Sequence, residues 1–333
     1  MHISRRSFSK IPTESFLIGI LYLIGLFCLC NDNDKKLGHP FVYPTSVMLR
    51  CRVVMIWMRI PSNNCLHQYL ERNMPYNRKV RACGLHALPD RRTFDRRFKV
   101  LPMEHIVSAT GNRFVEEGLA DCTVASVDSS LVSAKGRVWH RSEMISGTVR
   151  PGTDTDARWG FSKSKGWVFG YKMHLSCSTG YLVVPLSCCI STANVQDNLM
   201  YYDIVEPLPE SLRYVPADLG YDDQKLYDFT RERGAMLVCP IRRRRHTKKK
   251  RLELIRFYRS RKGWKIYRKR SASIEPLFDC IKETFGVTVA PARGFENVSS
   301  YLLSCVFVYQ MAIYYNRVTD NDRPRCVRHM LGN

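Results

Sequence analysis

The stretch GWVFGYKMHLSCSTGYLVVPLSCCIST, residues 166–192, decides the fold of this 333-residue chain. Two runs rich in β-branched and aromatic side chains meet at Thr179-Gly180, which is typical of a β-hairpin. The run CTVASVDSSLV, residues 122–132, has a similar composition and predicts another strand just before the hairpin. The centre of the chain is therefore expected to be a sheet.

Helical and strand-like segments alternate after this hairpin. The predicted elements are a helix at 195–208, a short strand in 213–223 that runs into a helix through Gly234, and a strand at 235–241. Apolar side chains at helical spacing over 274–285 predict a final helix, with Ser273 as its N-cap and Pro276 in its first turn. This order favours an α/β fold, in which a mixed β-sheet is flanked by helices.

The first 119 residues have a helical pattern. Short helices are predicted where apolar residues recur at helical spacing, as in residues 45–60 and 91–101. Such helices fit a helix-turn-helix-like DNA reader and an ordinary helical bundle equally well. We predict an all-helical N-terminal domain at 1–119, an α/β domain at 120–320 and a C-terminal tail at 321–333.

The run FLIGILYLIGLFCL, residues 16–29, imitates a signal peptide because Arg5, Arg6 and Lys10 precede it. It is shorter than the roughly 20 residues that span a bilayer. No small-x-small cleavage pattern follows it. A buried helix is the favoured interpretation, and a membrane segment is the alternative.

The 13 cysteines are scattered along the chain, and none form a CxxC pair. Most lie among apolar residues. This distribution favours buried, reduced thiols in a cytosolic protein over a disulfide framework or a zinc site. Metal binding through sulfur is therefore not expected.

The charge of the chain points to a polyanionic partner. The formal net charge is +22, and sixteen of the 29 residues in the basic segment 242–270 are Lys or Arg. Aromatic side chains lie between the cations, at Phe257, Tyr258, Trp264 and Tyr267. Cations can neutralise phosphates and aromatic rings can stack on exposed bases, so we favour a nucleic-acid surface over a disordered basic tail.

Three acidic residues occupy unusual positions. Asp128 lies inside a predicted strand, where Asp is rare because its charge must be desolvated. Asp218 ends the strand of VPADLGY, and Glu275 lies on the final helix just after the basic segment. One such acid is usually structural, but three on separate elements favour binding of a hard cation such as Mg²⁺. Two ions, with Mn²⁺ able to substitute, would suit phosphodiester cleavage.

These residues resemble the motifs of the DDE transposases of prokaryotic insertion sequences, a family with an RNase H-like catalytic core. VDSS (127–130) is similar to the first Asp motif and ADLGYDD (217–223) to the second. TDARWGFSKSKGWVFGYKMHL (155–175) and STANVQDN (191–198) resemble the intervening core. The likeness extends over essentially the whole chain.

The third motif of that family combines a tyrosine, an arginine, a glutamate and a lysine. Tyr267, Arg270, Glu275 and Lys282 fit it as Y-x2-R followed by E-x6-K. The segment between Arg270 and Glu275 is one residue longer than in the family pattern. The Glu-to-Lys spacing is intact.

The resemblance implies a reaction and the residues that carry it. Asp128, Asp218 and Glu275 are expected to hold two Mg²⁺ ions while water, and then the freed 3′-hydroxyl, attack phosphodiester bonds. The implied DNA-binding residues are Tyr267, Arg270, Lys282, Arg158 and Trp264. His174 and Asn194 can line the site, and Trp159 and Trp167 can stack on a flipped base. A core histidine, a turn asparagine and core tryptophans are the simpler expectations for these four.

The resemblance also implies partners. The substrates are double-stranded DNA, as terminal inverted repeats and as target DNA, and the helical N-terminal domain helps to bind the ends. A homodimer on DNA is expected, in the cytoplasm with the nucleoid and away from membranes. Three alternatives stay open: an RNase H-like nuclease without strand transfer, a catalytically dead DNA-binding descendant, and a membrane-anchored basic protein.

Overall fold

The computed structural model describes residues 15–27, 42–74, 76–163, 165–242 and 249–330, except the side chains of Lys249, Lys250 and His329. Several sequence predictions fall outside these residues. They concern Arg5, Arg6 and Lys10, the end of the apolar run at 28–29, residues 243–248 of the basic segment, and residues 331–333 of the predicted tail.

The described residues form a mixed α/β protein in which a sheet is flanked by helices. The helices are α1 (Phe16–Phe27), α2 (Thr45–Trp57), α3 (Asn63–Asn73), α4 (Arg78–Ala82), α5 (Arg91–Lys99), α6 (Met103–Glu116), α7 (Arg141–Ser146), α8 (Tyr201–Val205), α9 (Gln224–Glu232), α10 (Lys249–Arg259), α11 (Arg261–Phe285), α12 (Phe295–Val318) and α13 (Val327–Met330). The strands are β1 (Ala125–Ser133), β2 (Arg158–Ser162), β3 (Gly166–Ser178), β4 (Pro185–Thr192), β5 (Tyr214–Pro216) and β6 (Met236–Val238).

The chain divides into two compact units. One unit consists of the described residues of Met1–Thr110 and Ser300–Asn333, and the other is Gly111–Ser299. The boundaries fall within α6 and α12. The division does not test the domain limits expected from the sequence, which stay predictions.

The second unit contains the sheet. β3 is its longest strand and pairs antiparallel with β1, β2 and β4. β5 and β6 pair in parallel, and a parallel bridge between Val124 and Tyr214 joins this pair to the start of β1. β1 therefore has an antiparallel neighbour on one side and a parallel neighbour on the other.

The predicted strands at the centre of the chain are confirmed. β3 and β4 form the expected hairpin, but residues 179–184 connect them, so the loop is longer than Thr179-Gly180. The strand β2 was missed because its residues lie in a stretch rich in Gly, Asp, Thr and Arg. Its extended conformation depends on hydrogen bonds to β3, which the local composition does not reveal.

The sequence prediction for the start of the last α/β helix was wrong. α11 begins at Arg261 and its N-cap is Ser260, whose side chain accepts a hydrogen bond from the Gly263 amide at 3.0 Å. Ser273 and Pro276 therefore lie inside the helix. Lys and Arg are good helix formers, so the basic residues before Ser273 extend the helix.

The two faces of the sheet are covered differently. Side chains that alternate along β1 include Val127, which packs into the buried cluster with residues of α8 and α9 such as Ile204 and Leu226. Ser126 is on the opposite face and contacts Ser273 of α11. Asp128 shares that face, because side chains two apart on a strand point to the same side. This arrangement places Asp128 beneath α11.

The first unit is helical in its described residues. α1 buries most of its side chains, as expected for the apolar run, and Phe27 packs edge-to-face on Tyr314 of α12 with ring centroids 4.7 Å apart. Arg52 is buried, with its guanidinium 4.8 Å from the ring centroids of both Phe98 and Tyr301. α12 is long and apolar enough to cross a membrane, but most of its apolar window is buried inside the protein, which is typical of a core helix.

Candidate active site

Asp128 lies in the middle of β1, opposite Leu175 of β3. The strand continues through this position because β3 pairs with it without interruption from Ala125 to Ser133. Only 14% of the Asp128 side chain is exposed. The carboxylate is therefore largely removed from water, as the sequence predicted for an acid inside a strand.

One arginine joins Asp128 to Glu275. The Arg270 guanidinium donates to Asp128 Oδ2 at 2.6 Å and to Glu275 Oε1 at 3.0 Å. Burial lowers the pKa of Arg270, but Asp128, Asp218 and Glu275 together outweigh it, so the pKa is raised above its usual value. A permanently charged side chain thus lies between two of the three predicted catalytic acids.

The electrostatics of Asp128 are unusual for a carboxylate. Burial raises its pKa to about 6, and the charges of Asp218 and Asp197 push in the same direction. Arg270 opposes this shift without cancelling it. Burial is therefore the main reason that the ionised form of Asp128 is disfavoured, and the nearby acids add to it.

Asp218 follows β5 and caps a 3₁₀ turn at Leu219–Tyr221. Its Oδ1 accepts a hydrogen bond from the Gly220 amide at 2.8 Å. It acts electrostatically on both Asp128 and Arg270. Among the described residues, no three His, Cys, Asp or Glu side chains are grouped closely enough to hold a metal ion. The structure thus brings Asp128 and Glu275 together through Arg270, and the shared metal site with Asp218 stays a prediction.

The structure adds Asp197 and Tyr221 to this region, which sequence reasoning missed. Asp197 Oδ1 accepts from Lys172 Nζ at 2.9 Å and lies 3.8 Å from His174 Nδ1. The Tyr221 hydroxyl is buried and has no hydrogen-bond partner among the described residues, and the charges of Asp197, Asp128 and Asp218 raise its pKa beyond the effect of burial. Asp197 belongs to the stretch STANVQDN and Tyr221 to ADLGYDD. Because both stretches resemble family motifs, they could have drawn attention to these two residues.

Two residues named from the sequence lie beside this region. His174 is fully buried and lies 2.8 Å from Ser191 Oγ, and burial lowers its pKa to about 4. It is therefore neutral at pH 7. Asn194 accepts a hydrogen bond from Thr192 Oγ1 at 2.7 Å, which is a turn contact.

Lys282 lies inside the protein. It is 4% exposed, and its ammonium donates to Ser130 Oγ and to the Leu131 carbonyl, both at 2.6 Å. Burial lowers its pKa to about 8. In this structure Lys282 joins α11 to β1, and its contact with DNA stays a prediction.

Arg158 and the two tryptophans lie on the β2–β3 hairpin or beside it. Arg158 donates to the carbonyls of Thr155 and Ala157. The Trp159 indole donates to the Trp139 carbonyl at 2.9 Å, whereas Trp167 is 68% exposed. Of the two tryptophans, only Trp167 is largely open to a ligand in this structure.

The basic face of α11 is defined here by five residues of its first three turns. It consists of Arg261, Trp264, Lys265, Arg268 and Lys269, which line one open groove with Ala272. Trp264 stacks on Tyr267 with ring centroids 5.6 Å apart, and about half of it is exposed. This face therefore combines cations with an accessible aromatic ring, as the sequence predicted for this part of the basic segment.

The residues around Asp128 have the chemistry that a divalent cation takes, although the described residues do not form a complete ligand cluster. Three carboxylates act on one guanidinium, the ionisation of Asp128 is opposed by burial, and the buried Tyr221 hydroxyl is left without a partner. Carboxylate oxygens are the ligands that Mg²⁺ prefers. A cation at this position would offset the cost of ionising the buried Asp128 carboxyl.

The structure thus combines an acidic site between β1 and α11 with a basic face on the same helix. The chain belongs to the Transposase DDE domain family, because that domain matches residues 121–311, more than half of the chain. Members of this family generally use divalent metal ions.

No curated protein matches the chain. Among solved structures, it is similar to the piggyBac transposase synaptic complex with hairpin DNA, with a TM-score of 0.38 and 10% identity. The similarity covers 99% of this chain and 79% of that one. The family assignment rests on the domain match alone.

The raised pKa of Asp128 predicts a dependence of stability on pH. Its pKa is about 6 in the folded chain and near 3.9 when unfolded, so unfolding becomes easier as the pH rises from about 4 to about 6. The loss is about 2–3 kcal/mol and is complete above pH 7. We expect D128N to gain stability relative to the native chain over this interval, measured by urea unfolding at pH 4, 5, 6 and 7. A difference that is constant with pH would contradict the shift.

Proposed function

We propose that this protein is the transposase of a prokaryotic insertion sequence, which cuts DNA at element ends and joins them to target DNA. The observation that carries the proposal is Arg270, which links Asp128 on β1 to Glu275 on α11. Two acids from elements far apart in sequence meet there, with Asp218 near enough to act on both Asp128 and Arg270. An ordinary surface salt bridge joins two solvated side chains, and it would not require acids from a strand and a distant helix to meet at one buried arginine.

We also propose that the second unit has an RNase H-like fold. Support comes from the strand arrangement, in which β1 lies between antiparallel β3 and the parallel pair of β5 and β6. The first acid is then on a central strand, the second follows its parallel neighbour, and the third is on the helix that packs on β1. The motif VDSS, with the first acid, lies on β1, and the motif ADLGYDD, with the second acid, directly follows β5.

The three carboxylates of Asp128, Asp218 and Glu275 are the proposed ligands of two Mg²⁺ ions, with Mn²⁺ able to substitute. When bound, such ions activate an attacking oxygen and stabilise the leaving one. The chain's own contribution is to fix the acids on a strand and a packed helix. The basic face of α11 holds the DNA backbone along the same helix that carries Glu275.

The partners follow from this role. The basic face suits double-stranded DNA because its cations can replace counterions along the phosphates. The helical N-terminal domain is proposed to bind the terminal inverted repeats, and two copies are proposed to act together on DNA. A cytoplasmic location beside the nucleoid is part of the same proposal.

The decisive experiment uses the full chain, a labelled duplex carrying the element end, and a supercoiled target plasmid. Mg²⁺-dependent nicking followed by a joined product supports the transposase. Nicking without joining would favour a nuclease that lacks strand transfer. DNA binding without nicking, with Mg²⁺ or Mn²⁺, would identify a catalytically dead DNA-binding protein.

The basic face makes a separate prediction about salt. Lys265 and Arg268 are exposed on α11, and each phosphate contact adds about 1 to the slope of log affinity against log salt. K265Q and R268Q should each lower DNA affinity and reduce that slope by about 1, measured by fluorescence anisotropy between 50 and 200 mM salt (about the range in which such contacts are screened). K225Q, an exposed lysine on α9, is the matched control. Equal slopes for all three variants would exclude this face.

A further inference from the structure

In addition to the pair of Arg270 and Asp128, polar contacts attach α11 to β1 on both sides of Glu275. Before Glu275, Ser273 Oγ lies 3.0 Å from Ser126 Oγ, and both residues are buried. After it, Lys282 Nζ donates to Ser130 Oγ at 2.6 Å. The helix is therefore held to one strand on both sides of the acid.

The same contacts lie on both sides of the first acid on the strand. Ser126, Asp128 and Ser130 are two residues apart, so their side chains share the face of β1 that meets α11. Ser126 and Ser130 take the two contacts, and Asp128 between them takes Arg270. The register between strand and helix thus determines how Asp128 and Glu275 face each other.

The helix is weakest at this point. Pro276 follows Glu275 directly and lies inside α11. Proline has no amide hydrogen, so one backbone hydrogen bond of the helix is missing, and its ring crowds the preceding turn. Helices bend at such positions unless other contacts hold both halves. Glu275 therefore needs support that the helix backbone does not supply.

We propose that the hydroxyl pair of Ser126 and Ser273 and the contact of Lys282 with Ser130 are positioning contacts, which hold Glu275 opposite Asp128 across the weak point at Pro276. The inference rests on the proposed function, because it assumes that these acids bind the metal together. Ser126 and Ser273 do not touch the reacting atoms. These two serines act through the carboxylates of Asp128 and Glu275.

A matched control exists on the opposite face of the sheet. Ser176 and Ser187 form a buried hydroxyl pair at 2.6 Å, of the same kind as Ser126 and Ser273. Ser176 is directly opposite Val127, whose side chain points away from α11. Loss of this pair removes a similar contact from the same sheet without touching the acids.

The experiment measures Mn²⁺ binding to the full chain by electron paramagnetic resonance, with thermal unfolding in parallel. S126A and S273A should each lower Mn²⁺ affinity about tenfold, as is typical when a contact that orients a ligand is lost. S176A should leave the Mn²⁺ affinity unchanged, while it lowers the melting temperature about as much as S126A and S273A do. Ser273 Oγ also lies 2.7 Å from the Lys269 carbonyl, so S126A leaves this hydroxyl with a partner.

A double-mutant cycle separates positioning from general stability. Pro276 is exposed, and P276A restores the missing helix bond without changing the core. S273A should therefore cost about threefold or less in Mn²⁺ affinity in the P276A background, compared with about tenfold alone. The same loss in both backgrounds, or an affinity of S273A equal to that of the native chain, would overturn the inference.

The proposed function fails in a different way. If the native chain does not bind Mn²⁺, or if D128N binds it as tightly as the native chain does, the acids are not a metal site. Both proposals then fall. If the native chain binds Mn²⁺ through Asp128 and nicks DNA while S126A, S273A and S176A all behave like it, only the positioning role is lost.

Discussion

Replacing Asp128 with Asn is expected to reduce metal-dependent nicking by about 10³-fold or more, because a bound ion contributes several kcal/mol of charge stabilisation in the transition state. The amide keeps the shape of the side chain but loses the charge that a cation needs. DNA binding should change little, since the basic face of α11 is untouched. Nicking of a supercoiled plasmid and anisotropy with labelled duplex measure the two effects separately.

The matched control for this substitution is D279N. Asp279 is an exposed acid on α11, four residues after Glu275, and takes no part in the Arg270 contacts. Like D128N, the D279N substitution removes one negative charge from the second unit. Nicking by D128N at the level of D279N, with Mg²⁺ or with Mn²⁺, would exclude Asp128 from the reaction.

Replacing Arg270 with Ala is expected to destabilise the metal-free protein by about 2–4 kcal/mol and to raise its affinity for Mn²⁺. The guanidinium is 14% exposed and bridges two carboxylates, so its loss leaves buried negative charge without a partner. A divalent ion can supply that missing charge. Urea unfolding at pH 8, with and without Mn²⁺, should show a large loss that the metal largely restores.

The control for Arg270 is R270K. Lysine keeps the charge but presents a single ammonium, which cannot replace the planar fork between two carboxylates. R270K should therefore lose less stability than R270A and bind Mn²⁺ with intermediate affinity. If R270A is as stable as the native chain, or if Mn²⁺ stabilises both equally, Arg270 does not compete with the metal.

The longer spacing between Arg270 and Glu275 has a structural counterpart. With three intervening residues the two side chains would be i,i+4 neighbours on a helix, whereas here they are i,i+5 on the continuous α11. The long arginine side chain still reaches Glu275 at 3.0 Å and Asp128 at 2.6 Å. The extra residue therefore does not prevent contact with the acids.

Local composition was enough to predict much of the second unit. β1, β3 and β4 are rich in β-branched and aromatic residues, and the order of strands and helices indicates a mixed sheet. The acids Asp128 and Glu275 could be selected because one interrupts a strand and the other follows a run of cations. The strand β2 was missed because its extended conformation depends on pairing with β3. The first half of α11 was missed because its Lys and Arg residues, although good helix formers, were interpreted only as a basic segment.

The sequence by itself determined the α/β order, the basic segment and which acids are out of place, because these depend on residue types and short spacings. Only the tertiary structure decided that Arg270 joins Asp128 to Glu275, that Lys282 is buried on β1, and that Asp197 lies near the first acid. Such contacts depend on which faces of distant elements meet. Arg270 and Asp128 are 142 residues apart in the chain, and only the packing of α11 on β1 brings them within hydrogen-bond distance.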